Sequence, residues 1–239
     1  MIVRESSENG ILAITITQTG VKHIALDEPN QDNTAFLVKG NDLVMAVADG
    51  VGSCKMAQYA SEEACRICLE IFDSLVSGEL QDSCADIAAE IVDRWNLFLE
   101  GKEANEYCTT LKAVFVVNGI LSTVSVGDGI LMLESDGDVI ASPEDENDFL
   151  NQTNCLVPGI TAESVWMCQK NVGNNAFVVF MSTDGVSNGI ESGQEADLIR
   201  EISGIADEEV LKDELIVFFN DVRLVSADDM TLGVIRYGH

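Results

Sequence analysis

The sequence predicts an α+β domain in which antiparallel strands form layers and helices come in pairs. Three observations predict it. Apolar runs of strand length occur in consecutive groups, helical periodicity is confined to paired segments between those groups, and Asn-Gly or Asp-Gly dipeptides join neighbouring runs. The strict strand-helix alternation of a doubly wound parallel sheet is not found. With 239 residues, 46% of them hydrophobic, and only 3 prolines, the chain can bury a core. No repeat, low-complexity segment or Pro/Gly/Ser linker divides it, so one domain over 1–239 is expected.

Residues 11–17 (ILAITIT), 34–39 (TAFLVK) and 43–48 (LVMAVA) open the strand series, separated by Gly, Asn and Asp. From Met56 to about Leu75 the period changes, with Ala60, Ala64, Ile67, Cys68, Ile71, Phe72 and Leu75 at helical spacing. Ile87, Ile91, Trp95 and Phe98 repeat that pattern over Asp86 to Leu99. Strands return at Leu111–Val117, Ile120–Val126 and Ile130–Leu133, the first two joined by the hairpin dipeptide Asn118-Gly119. Asp136-Gly137 closes another hairpin into Val139–Ala141. The stretch 142–175, acidic at PEDEND, reads as an irregular excursion from the core. Ala176–Met181 is again strand, helical patterns follow at about Glu195–Ile202 and Glu208–Asn220, and Met230–Tyr237 is the last strand.

Charge narrows the partners. Against 13 Lys+Arg stand 41 Asp+Glu, a formal net charge of −28 with no basic cluster, which opposes nucleic acid and anionic lipid. Divalent cations and basic protein segments are favoured instead. No apolar run approaches the roughly 18 residues of a membrane helix, and the opening MIVRESSENGILAITITQ lacks a small-residue cleavage site, so no membrane span or signal peptide is expected. The 7 cysteines, an odd number, read as reduced thiols of a cytoplasmic protein. Cys65 and Cys68 form a CxxC inside a helical pattern with no second pair or nearby His, and are read as structural rather than as zinc ligands.

Four aspartates share a context. Asp32 (PNQDNTAF) and Asp228 (SADDMTLGVI) precede strands, while Asp49 (VMAVADGVGS) and Asp184 (FVVFMSTDGVSNG) follow them. Antiparallel strands bring such ends together, where carboxylates raise one another's pKa and cations are the usual remedy. Oxygen ligands without His or Cys suit Mg²⁺ or Mn²⁺. Glycines after Asp49 and Asp184 permit tight turns in which a backbone carbonyl faces a metal. Taken singly, each Asp-Gly is ordinary turn chemistry; the argument rests on the ordered set.

VMAVADGVGS, TTLKAVFVV, VSVGDGILMLESDGDV, VVFMSTDGV and ADDMTLGVI resemble the successive motifs of the metal-dependent type 2C protein phosphatases, in order and spacing from about Gly20 to Arg236. The resemblance implies a four-layer αββα sandwich of two antiparallel β-sheets flanked by paired α-helices, with two Mn²⁺ or Mg²⁺ ions at one end. It implies that Asp49 bridges the metals, that the Gly50 carbonyl binds one, and that Asp184 and Asp228 complete a site. Asp32 would act through metal-bound water. Asp128, in a GDG resembling the family's GDS, would help hold a third, weaker ion. Thr109 and Thr110 match a Gly-Thr-Thr and are expected to be structural. The implied reaction is hydrolysis of phosphoserine or phosphothreonine by a hydroxide bridging the metals, with no covalent phosphoenzyme.

The chain departs from the family where an Arg commonly grips phosphate in R-x-x-N-E-D: here DEPNQD has Asp27 for the Arg and Gln31 for the Glu. GVKHIALDEPNQD resembles a bacterial subgroup with a His before PxQD, which makes His23 a candidate for phosphate contact or leaving-group protonation, the other reading being a cap on a strand end. Lys55 is either a phosphate partner or a solvated lysine at a helix start. The run Glu144–Asp148 stands where a variable flap is expected, and Asn151-Gln152-Thr153 matches a subgroup motif without an assigned mechanism. The expected protein is therefore a monomeric cytoplasmic phosphatase acting on phosphorylated proteins, with a preference for basic phosphosite contexts. A phosphatase-like binding module with little catalysis and a small-molecule phosphohydrolase are the alternatives.

Overall fold

In the computed structural model, which describes residues 1–143 and 154–238, eleven strands form two antiparallel sheets. The chain opens with β1 (Ile2–Glu8), β2 (Ile11–Gln18), the short helix α1 (Val21–Leu26), β3 (Asp32–Lys39) and β4 (Asp42–Asp49). Helices α2 (Ala57–Ser77) and α3 (Cys84–Leu99) lead to β5 (Leu111–Val117), β6 (Ile120–Val126), β7 (Ile130–Ser135) and β8 (Asp138–Ala141). Then come β9 (Trp166–Asn171), β10 (Phe177–Ser182), α4 (Asp184–Ser187), α5 (Glu195–Gly204), α6 (Glu208–Arg223) and β11 (Met230–Tyr237). One sheet has the order β1-β2-β11-β10-β7-β8 and the other β3-β4-β5-β6-β9.

Alternation along the strands builds the layers. In β4, Leu43, Met45 and Val47 pack between the sheets with Val114, Val179, Met181 and Ile235, whereas Val44, Ala46 and Ala48 face α2 and α3. Val178, Phe180, Leu232 and Val234 on the outer side of the other sheet pack on α5 and α6 through Ile199, Leu211, Leu215 and Phe219. The result is helices, sheet, sheet, helices, with the expected pairing of helices on each side. Gly233 permits close approach of the sheets, since a Cβ there would lie 2.6 Å from the Met45 sulfur.

The hairpins follow their dipeptides: Asn118-Gly119 and Asp136-Gly137 have φ of 53° and 77°, and 58° and 84°. Three expectations change. β1 joins β2 through Asn9-Gly10, and α1 intervenes before β3, in segments where no element was expected. The stretch 142–175 is not wholly irregular, because Trp166–Asn171 pairs with β6 and closes one sheet edge. Not all cysteines are thiols. Backbone pairing of Thr109 with Leu156 brings the Cys108 and Cys155 Cα atoms to 6.3 Å, and the two are disulfide-bonded. Cys54, Cys65, Cys68, Cys84 and Cys168 are free. The acidic run Glu144–Asp148 and Asn151-Gln152-Thr153 lie outside the described residues. No helix among the described residues is long and apolar enough to cross a membrane.

Candidate metal centre

The first residue of β3 and the last of β4, Asp32 and Asp49, are direct partners in the antiparallel register. Facing residues on neighbouring strands hold their Cβ atoms about 5 Å apart, so the two carboxyls share one face. Asp32 is 6% exposed. Its Oδ2 accepts from Thr183 Oγ1 at 2.8 Å, while its Oδ1 meets no donor among the described residues.

Asp49 is fixed from behind. Its N–H donates to Thr110 Oγ1 at 3.0 Å, and its carbonyl accepts from Thr109 Oγ1 and Thr110 N–H, both at 2.8 Å. Thr109 and Thr110 thus brace the backbone that carries the carboxylate. Gly50 donates to Gln31 O at 3.1 Å and runs so close to α2 that a Cβ would come within 2.2 Å of Ala57 O. The cysteine bridge adjoins this brace: Leu156 N–H donates to Thr109 O at 2.8 Å.

Asp184 opens α4 directly after β10, and Asp128 sits between β6 and β7, flanked by Gly127 and Gly129 at φ of 86° and 81°. Lys112, buried in β5, donates to Gly127 O at 2.6 Å and Ser125 Oγ at 2.8 Å, bracing the peptide before Asp128. Asp228 stands just before β11, its Oδ1 accepting from Asp229 N–H at 3.0 Å.

Electrostatics tie these groups together. Burial, reinforced by the charge of Asp229, pushes Asp32 up to about 7. Burial and then the charges of Asp32 and Asp184 hold Asp49 well above the usual carboxylate range. Asp184 is raised to about 6, by burial and then by Asp128 and Asp228. Among the described residues no three His, Cys, Asp or Glu are drawn in to ligand spacing around one point. Instead, desolvated like charges surround a common space, with a buried carboxylate oxygen lacking a donor. That chemistry fits a hard divalent cation.

Asp229 is a component that sequence reasoning passed over. It is 3% exposed and accepts from Gly20 N–H at 2.7 Å, Gln31 N–H at 2.6 Å and His23 Nδ1 at 2.7 Å. It fastens both ends of the segment leading to Asp32 onto β11. His23 lies in α1 rather than at a strand end, with Nε2 3.8 Å from Glu28 Oε2. Lys55 pairs with Glu106, and Asp27 is the left-handed cap of α1. Gln31 contributes backbone contacts to Asp229, Gly50 and Ser61.

Residues 19–220 match the sequence profile described as Protein phosphatase 2C. A comparison with curated proteins gives no match. Among solved structures, RsbX in complex with magnesium superposes with a TM-score of 0.65 at 15% identity, covering 99% of this chain and 100% of that one. The catalytic domain of the serine threonine protein phosphatase PstP in complex with 2 manganese ions gives 0.66 at 16%, covering 94% and 97%. The serine/threonine phosphatase Stp1 from Staphylococcus aureus gives 0.66 at 16%, covering 94% of each chain. At such identities these likenesses establish the fold. The profile match extends over most of the chain and takes in Asp32, Asp49, Asp128 and Asp184, and so the chain belongs to the protein phosphatase 2C family.

Proposed function

We propose that this protein phosphatase 2C carries out its metal-dependent hydrolysis of phosphoserine and phosphothreonine in the cleft bounded by Asp32, Asp49, Asp128, Asp184 and Asp228. The carrying observation is the facing pair of Asp32, buried, and Asp49, half-buried, each ionised only at a cost. In this reading Asp49, the Gly50 carbonyl, Asp184 and Asp228 hold two Mn²⁺ or Mg²⁺ ions, with Asp32 beside them and Asp128 serving a third, weaker one. Bound cations supply Lewis acidity, making water more acidic and neutralising charge on phosphoryl oxygens.

The chain's own residues orient and restrain. Thr109 and Thr110 fix the backbone of Asp49, and Thr183 holds one oxygen of Asp32. Asp229 fixes the His23 ring at Nδ1, the arrangement of an oriented acid, so His23 is proposed as proton donor to the departing serine or threonine oxygen. With Asp27 and Gln31 in place of Arg and Glu, no guanidinium is supplied from that segment. The formal charge of −28 then favours phosphosites in basic contexts and disfavours self-association, in keeping with a monomer.

Hydrolysis of p-nitrophenyl phosphate and a phosphothreonine peptide, with and without Mn²⁺, tests the reading beside Asp49→Asn and Asp184→Asn. Metal-dependent turnover that falls at least a hundredfold in both variants is expected. Metal binding without turnover would instead establish a binding module, and undiminished activity in both variants would overturn the metal assignment.

A further inference from the structure

Helix α1 is built inside out. A surface helix ordinarily buries its aliphatic side and exposes its polar one. Here His23 is the buried residue, while Val21, Ile24 and Leu26 are 50%, 60% and 60% exposed. The helix is held by polar anchors: His23 Nδ1 and Gly20 N–H on Asp229, and Lys22 N–H on Ala227 O at 3.2 Å. The segment it leans on carries Leu224 and Val225, 84% and 77% exposed, immediately after α6. Singly exposed aliphatics are ordinary. Aliphatics carried by two segments that are hydrogen-bonded to each other at Lys22 and Ala227, beside the proposed cleft, mark a binding surface.

The location places that surface at the cleft. Gly20 is pressed against the strand entry so closely that a Cβ would fall 2.3 Å from the Asp228 carbonyl carbon. Charge then selects the occupant. A second copy of the chain brings another −28, and anionic lipid or nucleic acid brings like charge, so each is opposed. Within these two segments exposed Asp27, Glu28 and Asp221 outnumber exposed Lys22 and Arg223. The fitting ligand is both apolar and cationic.

We propose that α1 and the 224–225 corner form a docking surface for the substrate protein, gripping an aliphatic residue near the phosphosite within a segment that also carries Lys or Arg. The proposal rests on the phosphatase reading above and adds to it what is recognised beyond the phosphate. The docking contact resides in the ground state and the transition state alike, so it acts mainly on KM.

The test compares kcat/KM for an Arg-containing phosphothreonine peptide bearing leucine beside the phosphosite with kcat/KM for p-nitrophenyl phosphate. Wild type, Ile24→Ser and Leu224→Ser are assayed with Mn²⁺. The ratio of peptide to p-nitrophenyl phosphate is expected to fall roughly tenfold in each variant, and replacing the peptide's leucine by serine should lower it similarly in the wild type. Unchanged ratios in both variants, or indifference of the wild type to that leucine, overturn the docking surface while leaving the phosphatase reading intact. A wild-type dimer dissolved by the substitutions, or cosedimentation with anionic vesicles that they abolish, assigns the patch to another occupant and overturns it equally. A wild type that turns over neither substrate overturns the phosphatase reading itself.

Discussion

Asp32 makes the metal-free protein sensitive to pH in a direction opposite to that of an ordinary salt-bridged carboxylate. Its folded pKa is about 7 against a usual 3.8, because burial and the neighbouring Asp229 charge disfavour ionisation. A raised folded value means that the native state binds the proton more tightly than the unfolded chain. The associated stability is fully present below about pH 4 and is lost as pH rises through about 7. At about 1.4 kcal/mol per pH unit, the gap amounts to about 4 kcal/mol, a large share of the roughly 5–15 kcal/mol that holds a domain together. In a chain of this length it corresponds to roughly 10 °C in Tm. Thermal unfolding in EDTA from pH 4.5 to 8 should therefore show a falling Tm, and Asp32→Asn should flatten the profile and raise Tm at pH 8. Saturating Mn²⁺ should reverse the order, stabilising the wild type more than the variant. A wild-type Tm independent of pH in EDTA, or an Asp32→Asn variant less stable than wild type at pH 8 without metal, would refute the reasoning.

Asp229 faces three donors, so Asp229→Asn turns an amide N–H toward at least one of them; a loss of roughly 2–4 kcal/mol in urea unfolding is expected, with weakened Mn²⁺ binding by calorimetry. His23→Asn keeps a donor near the Nδ1 position, and if the ring protonates the leaving group, turnover of phosphothreonine peptide should drop about a hundredfold while p-nitrophenyl phosphate, whose leaving group needs no proton, loses far less. Equal losses on the two substrates would assign His23 to positioning alone. Cys108→Ser opens a bridge spanning 47 residues, an expected cost of about 4 kcal/mol by loop closure, and thiol titration of the denatured, unreduced wild type should count five. Gly185→Ala places a Cβ 1.8 Å from Asp229 O, so it should reduce metal affinity by displacing the strand entry that carries Asp228.

The elements legible in the sequence were those that bury a face. β4, β5, β10 and β11 read clearly because their residues are buried almost throughout, and α2, α3 and α6 because one stripe packs on a sheet. β1 and β9 are edge strands with mostly exposed or half-buried residues, and IVRESSE and WMCQKN carry little alternation to detect. α1 escaped for a sharper reason: its aliphatics face outward and its one buried residue is a histidine, so the usual pattern is inverted. The Cys108–Cys155 bridge depends on a long-range backbone pairing, Thr109 with Leu156, that leaves no local trace. In the site, Asp32, Asp49 and Asp184 were visible as carboxylates at strand ends, whereas Asp229 looked like a neighbour of Asp228. What sets it apart is burial against backbone donors from residues some two hundred positions away.

The aspartates of the proposed site work against the fold, because burial and mutual repulsion disfavour their ionisation. The contacts around the carboxylates are of several kinds: Thr109 and Thr110 hold the backbone of Asp49, the neutral Thr183 hydroxyl donates to one oxygen of Asp32, and the Lys112 ammonium holds the carbonyl preceding Asp128. Had arginines paired with the carboxylates, the metal-free protein would be more stable, but those charges would compete directly with divalent cations for the same oxygens. Among the described residues one Asp32 oxygen instead meets no donor, and burial holds the pKa values of Asp32 and Asp184 high. Folding stability is thereby coupled to metal binding through the carboxylates themselves, since any cation that relieves their repulsion also stabilises the native state.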